Sequence, residues 1–366
     1  MLNWKNFVTP PDEQNLKTYP TIVDIVEDIM QDYMVRNPVY PLPGSDSVFN
    51  PCGRFKYQVV RCDIDPTRVT LYPSGRGMGV FYRGERKDYG SCKASFSRLS
   101  GSQEILLARL RMCEFKLLLH RHPIINFVEN ADFQIKTPEY NAKLFVDYDA
   151  LAQHYGICTP FLDVTSDILV AAFFAVAKYC PESDNWQISE SEKYGILYRC
   201  KYDDMIKLGV SITPVGKQYF NRPGRQSAFV LDMGCMDDFT QFDPVEKIYF
   251  RHDENADSLI LDICQQGHAY FPKDSLGEAA NVVRNQMSFS KEAVANCKNK
   301  YYELESMDDF AVRLNNSNIG IIEQPVVEWN KTQINEEWKY WHKEGAIRFL
   351  SNLQVLPILM YQKKKE

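Results

Sequence analysis

The chain has 366 residues, 45% of them hydrophobic and 25% charged, the balance of a globular protein able to bury a sizeable core. Its 42 Lys and Arg against 48 Asp and Glu leave a formal charge of −6, which excludes a general attraction to nucleic acid or anionic lipid. The opening MLNWKNFVTPPDEQ lacks the apolar run of a signal peptide, no stretch is apolar enough to span a bilayer, and none of the ten cysteines forms a Cys-x-x-Cys pair or stands near a histidine at zinc-ligand spacing. The expectation is a cytoplasmic protein with reduced cysteines, no membrane association and no metal.

Residues 1–20 read as irregular. From Thr21, with Asp24 in a capping-box position, Ile22, Ile25, Val26, Ile29, Met30 and Tyr33 make a helical apolar stripe, closed by Pro38, Pro41 and Pro43. Residues 36–54 read as loop. Tyr57–Arg61 and Val69–Tyr72 are short β-like pieces, and the PSGRGMG between Tyr72 and Val80 reads as a turn, because it lacks the Lys and Ser/Thr of a phosphate-binding loop. Val80–Tyr82 predicts a strand ending at Arg83-Gly84, with Gly84 allowing a sharp turn beside an arginine that could fork onto phosphate or carboxylate, or form a structural ion pair. Residues 102–120 predict a helix. Its Arg109, Arg111, Lys116, Arg121, His120 and His122 read as a solvated basic face; His-x-His without a third ligand is weak evidence for a metal.

The central stretch Leu151–Phe174, LAQHYGICTPFLDVTSDILVAAFF, places polar groups directly before an apolar helix that is hydrophobic nearly all round and continues to Ala177. Asp163, Thr165, Ser166 and Asp167 read either as helix caps or as groups presenting a ligand to the helix N-terminus. Beyond it, ESDNWQISESEK predicts an exposed loop, Tyr194–Tyr202 a strand, NRPG at 221–224 a turn, and Ser227–Met233 and Glu246–Arg251 further strands. Residues 255–266 predict a helix, Ser275 with Glu278 a capping box, Gly320–Val327 a strand and Gln333–Leu350 a Trp-rich helix, followed by a Lys363–Lys365 tail. Strands and helices mix without βαβ alternation, so the expected class is α+β, a mixed or antiparallel central sheet with flanking helices. Residues 1–65 are expected to be accessory, 66–298 the core domain, and 299–366 a second accessory region.

Three segments together resemble the FRG domain. The first is Tyr82-Arg83-Gly84-Glu85, followed by Asp88-Tyr89 and Arg98. The second is Gln153-His154-x-Gly156 and Leu162-Asp163-x-Thr165 before the Ala/Phe-rich helix. The third, looser, is Arg225-Gln226-x-x-Phe229 with Phe271-Pro272. The resemblance spans roughly residues 76–285. It departs from the family at Thr159, which is followed by Pro160 where the family usually has arginine. The family's pattern is similar to that of the ADP-ribosyltransferase fold. The resemblance therefore implies a nucleotide-type pocket with NAD as substrate: Arg83 and Gly84 at its phosphates or ribose, Thr165 supporting Arg83 and the nicotinamide ribose, His154 and Gln153 as hydrogen bonders, Asp163 as polar support. Gln226 stands where the fold carries a catalytic glutamate. An amide brings no charge to a cationic sugar, so Asp163, Glu85 or Glu246 would have to supply it. The acceptor would be a protein or a nucleic acid. The alternative is a non-catalytic module binding a nucleotide, a nucleic acid or a protein. A zinc or Ser-His-Asp hydrolase is disfavoured, since no Gly-x-Ser-x-Gly elbow occurs.

Overall fold

The apolar run after Asp167 forms a helix of nine residues, Ile168–Val176, of which only Phe174 is not buried. Asp167 caps it by accepting from the Leu169 N–H at 3.0 Å. The computed structural model describes residues 18–36, 57–62, 65, 67–73, 79–131, 133–134, 141–188, 192–233, 238–350 and 353–354. The predictions for the first 17 residues, residues 37–54 of the predicted loop, most of the Gly-rich segment and the lysine tail lie outside them.

The class is α+β, with a mixed sheet and flanking helices. The strands of the main sheet are β1 (Thr18–Tyr19), β2 (Val80–Glu85), β3 (Leu162–Thr165), β4 (Tyr194–Lys201), β5 (Ser211–Pro214), β6 (Ala228–Asp232) and β7 (Glu246–Arg251). They run in the order β1-β7-β4-β2-β3-β6-β5, antiparallel except for the β1–β7 pair. The helices that matter below are α1 (Ile22–Arg36), α2 (Ser102–His120), α3 (Tyr148–His154), α4 (Ile168–Val176) and α5 (Glu254–Ile263). Alternation along the strands sorts side chains to two faces. Phe81, Leu162, Val164, Tyr198, Phe229 and Leu231 build one core. Tyr82, Leu197, Ile248 and Phe250 pack with α4 and α1 in the other. The Thr21 capping box forms as predicted: Thr21 N–H donates to Asp24 Oδ2 and Asp24 N–H to Thr21 Oγ1.

A second sheet lies elsewhere in the molecule, with Tyr57–Arg61 and Arg68–Pro73 antiparallel and Asn141–Leu144 beside them. Its core takes in Phe115 of α2 and, from the far end of the chain, Trp341 and Phe349. The Trp-rich segment is helical from Lys331 to Leu350 and includes a π-turn at Trp341–Gly345. Its aromatic stripe is thus spent inside the chain.

Two features of the sheet bear on where a cleft forms. A Cβ on Gly84 would stand 1.9 Å from the Ala171 carbonyl oxygen and 2.8 Å from the Ala175 nitrogen. Gly84 therefore sits inside β2 to admit the helix backbone, and not at a turn as predicted. Second, β2 pairs with β4 over six residues but with β3 only at Tyr82–Thr165. Beyond that single pair the two strands separate.

Several local predictions need correction. The exposed loop at 182–193 is in part a hairpin: Asn185–Ile188 pairs with Ala177–Cys180, and Trp186 packs 5.0 Å from Phe173. The central helix accordingly stops at Val176. The NRPG turn is a helical turn, Arg222–Arg225, which proline tolerates in a first turn. Asp274, not Ser275, caps the following helix, accepting from Gly277 N–H at 2.8 Å, while Ser275 Oγ donates to Glu337. The strand predicted at 320–327 is only Gly320–Ile322, paired with Ser288–Ser290.

Gly84→Ala is expected to destabilise the protein by at least about 2 kcal/mol, because the clash is with backbone that cannot rotate away; a lowered urea midpoint checks this. A second expectation concerns His252, which joins α5 to the end of β2. Burial opposes its charge, but Asp257 Oδ2 at 2.6 Å and the Arg86 carbonyl at 2.8 Å outweigh burial, so its pKa is raised above the ordinary 6.5. The stabilisation is full below about pH 6.5 and is lost as pH rises through the raised folded value. Unfolding midpoints across that range should show this slope in the wild type and lose it in His252→Gln.

Candidate functional site

Where β2 and β3 part, a cleft of about 170 Å³ opens. Its apolar wall is Val170, Ala171 and Phe174 of α4 with Tyr82; its polar residues are Arg83, His154, Asp163, Thr165 and Gln226. Arg83 bridges the split. Its Nη1 donates to the Asp163 carbonyl at 2.9 Å, where a sheet would otherwise place a backbone bond, and its Nε donates to Glu85 Oε1 at 3.1 Å. Burial works against the Arg83 charge, but the Glu85 and Asp163 carboxylates near it prevail and hold its pKa above the ordinary value. Burial also pushes the Cys92 thiol up to about 12. Cys92 therefore serves as a donor to Glu85, at 3.5 Å, and not as a thiolate nucleophile.

The remaining polar groups form two anchored arms. In the first, Gln226 Nε2 donates to the Tyr270 carbonyl at 3.2 Å, which fixes the amide and turns Oε1 toward His154 Nδ1 at 2.9 Å. Since Oε1 can only accept, Nδ1 carries a hydrogen, and the ring presents Nε2 to Asp163. In the second, Thr159 Oγ1 donates to Gln153 Oε1 at 2.6 Å, and Gln153 Nε2 donates to Asp163 Oδ2 at 3.2 Å. The arms meet at His154 Nε2 and Asp163 Oδ1, 3.8 Å apart, each buried with no hydrogen bond. That separation is beyond hydrogen-bond range. The Asp163 side chain as a whole is 32% exposed and lines the cleft, while His154 beside it is buried.

The structure thus brings Arg83, Gly84, His154, Asp163, Thr165 and Gln226 to one cleft, with Gln153 directly behind Asp163. It does not place Thr165 against Arg83. Thr165 Oγ1 donates to the Gln226 carbonyl at 2.7 Å and accepts from Asp167 N–H, tying β3 to the loop before β6 and to the helix cap. Both ends of the Gln226 amide are likewise committed to protein groups, so it orients His154 and not a ligand. Ser227, the next residue, has a φ of 45°, the left-handed region that a tight turn into β6 requires. Glu246 bonds Arg199 and does not line the cleft. Glu85 does belong to the site as the partner of Arg83. The sequence offered Glu85 as a substitute carboxylate; the two-residue step on one strand face pairs it with Arg83 instead.

The basic helix α2 is not a bare cationic face. Lys116 bonds Asp149 at 2.6 Å, Arg121 pairs with Glu292, and Arg109 lies 4.9 Å from the Tyr301 ring. His122 is buried, accepting from Ile125 N–H and bonded to Glu337. Among the described residues no three His, Cys, Asp or Glu side chains cluster as a metal site.

Gln226→Ala would remove the hydrogen-bond partner of His154 Nδ1 in a buried setting. The expected cost is about 1–3 kcal/mol, checked by urea unfolding of the purified variant.

Residues 78–184 match the FRG domain family. No curated protein and no solved structure matches the chain. The matched residues hold Arg83, Gly84, Gln153, His154, Asp163 and Thr165, while Gln226 and Phe271 lie beyond them. The Arg-Gly strand, the Gln-His pair, the Asp-x-Thr strand and the apolar helix all lie in the matched segment and meet at the cleft, so residues 78–184 of the chain are an FRG domain.

Proposed function

We propose that the cleft takes the nicotinamide-ribose end of NAD and acts in an ADP-ribosyltransferase-like reaction. The observation that carries this reading is that Asp163 is the one carboxylate among the described residues lining the cleft, with a half-buried arginine beside it. Breaking the C–N glycosidic bond sends nicotinamide away with the bonding electron pair and leaves positive charge on the sugar. A fixed carboxylate stabilises that charge, and an acceptor nucleophile then bonds to the sugar carbon and releases its proton. Asp163 takes the part that an amide at Gln226 cannot. Its position is set by Gln153 through Oδ2 and by Arg83 through the backbone carbonyl. Arg83 commits two of its five N–H donors internally, which leaves donors for ribose or phosphate oxygens.

A non-catalytic nucleotide-binding module is the second reading. It is favoured by the ion pair that already neutralises Arg83 and by the spent polar groups of Thr165 and Gln226. A nucleic-acid surface along α2 finds less support, because Lys116 and Arg121 are paired with acids. The acceptor in the transferase reading is a protein or a nucleic acid.

Calorimetric titration of NAD with parallel assay of nicotinamide release separates these readings. Wild type is expected to bind and to release nicotinamide, Arg83→Ala to lose binding, and Asp163→Asn to bind with release reduced about 100-fold or more. Binding without release in the wild type leaves the binding module. No binding removes NAD as the ligand.

A further inference from the structure

The cleft encloses less than a dinucleotide needs. Its 170 Å³ lies below the roughly 300–1,000 Å³ of pockets that bury a drug-sized ligand, so the rest of such a ligand must run over the adjoining surface. On the side of Phe174 that surface is aromatic. The Phe174 ring lines the cleft and lies 5.9 Å from Phe271 and 6.3 Å from Trp186. Phe271 and Trp186 are 4.7 Å apart and inclined at 34°. All three are partly exposed.

The rim is built, not incidental. Trp186 is carried on the hairpin that pairs with Ala177–Cys180 directly after α4. Gly267, with φ of 84°, passes so close that a Cβ there would meet the indole at 2.4 Å. Arg222 stands 5.4 Å from the Phe271 ring, and its Nη1 donates to the His154 carbonyl at 3.0 Å, which links the rim to the polar side of the cleft. Partly exposed rings beside a guanidinium suit a flat heterocycle on a phosphate tether, since any base offers a π-face to stack.

We propose that Phe174, Phe271 and Trp186 form a base-stacking subsite that takes the adenine of NAD while its nicotinamide ribose occupies the cleft. The proposal rests on the reading of the cleft given above. The test titrates NAD and nicotinamide mononucleotide, which lacks the adenine, into wild type, Phe271→Ala, Phe271→Tyr and Arg83→Ala. Phe271→Ala is expected to weaken NAD about tenfold or more, to leave the mononucleotide unchanged, and to be rescued by tyrosine. Unchanged mononucleotide binding shows that the variant's cleft is folded. If Phe271→Ala binds NAD as wild type does while Arg83→Ala does not, the subsite is wrong and the cleft reading stands. An equal loss of both ligands in Phe271→Ala makes Phe271 a structural support and also overturns the subsite. Wild type binding neither ligand overturns both readings.

Discussion

The contact between β2 and α4 is the constraint on which the site depends. Backbone meets backbone at Gly84 and Ala171, a distance that leaves no room for a side chain on the strand. With α4 seated that closely, the helix covers the sheet on one side of the split and supplies the apolar wall of the cleft. The neighbouring strand β3 pairs with β2 only at Tyr82–Thr165. Arg83 fills the gap with a side-chain hydrogen bond to the Asp163 carbonyl. A half-buried guanidinium needs charge compensation, and Glu85 provides it from the same strand face. Closely packed backbone, an open strand pair and a compensated cation are therefore one arrangement.

The polar groups around Asp163 and His154 are held from behind. Gln226 is fixed by the Tyr270 carbonyl, Gln153 by Thr159, and each passes its orientation to the next group. Such chains are costly to bury unless every member is satisfied. Here the exceptions are His154 Nε2 and Asp163 Oδ1, which face each other at the end of the two arms, and Glu85 Oε2 beside Arg83. His154 Nε2 and Asp163 Oδ1 are thus the open ends of two arms whose other members are hydrogen-bonded.

The two ends of the chain are drawn into the same body by different means. β1 adds a parallel edge to the main sheet, and α1 lays its isoleucine stripe against α4. The C-terminal helix works on the second core, where Trp341 and Phe349 are buried and Glu337 meets His122, Tyr219 and Ser275. Burial opposes ionisation of Glu337, but its hydrogen bonds, led by His122, prevail and hold its pKa below the ordinary value. A charged carboxylate with three partners pins this helix in register, and the apolar rings supply the bulk of the contact.

The class of fold, the apolar central helix, the Thr21 capping box and the paired motifs Arg83-Gly84 and Asp163-x-Thr165 were legible in the sequence. Each depends on local patterning: alternation, helical spacing, or short polar residues before an apolar run. What the side chains do with one another was not legible. Thr165 and Gln226 read as ligand-facing groups, yet their hydrogen bonds close on the protein, because β6 returns beside β3 and places carbonyls within reach. Gly84 read as a turn, yet it serves a helix that arrives nearly ninety residues later in the chain. The polar segment around Trp186 read as loop because its polar residues mask one aromatic, which only the packing of Phe173 and Phe271 recruits. Sequence alone determined which groups were available and on which kind of element they sit. Tertiary structure decided which of those groups would be spent on the protein and which left facing the cleft, because hydrogen-bond partners far apart in the chain meet only once the sheet has assembled.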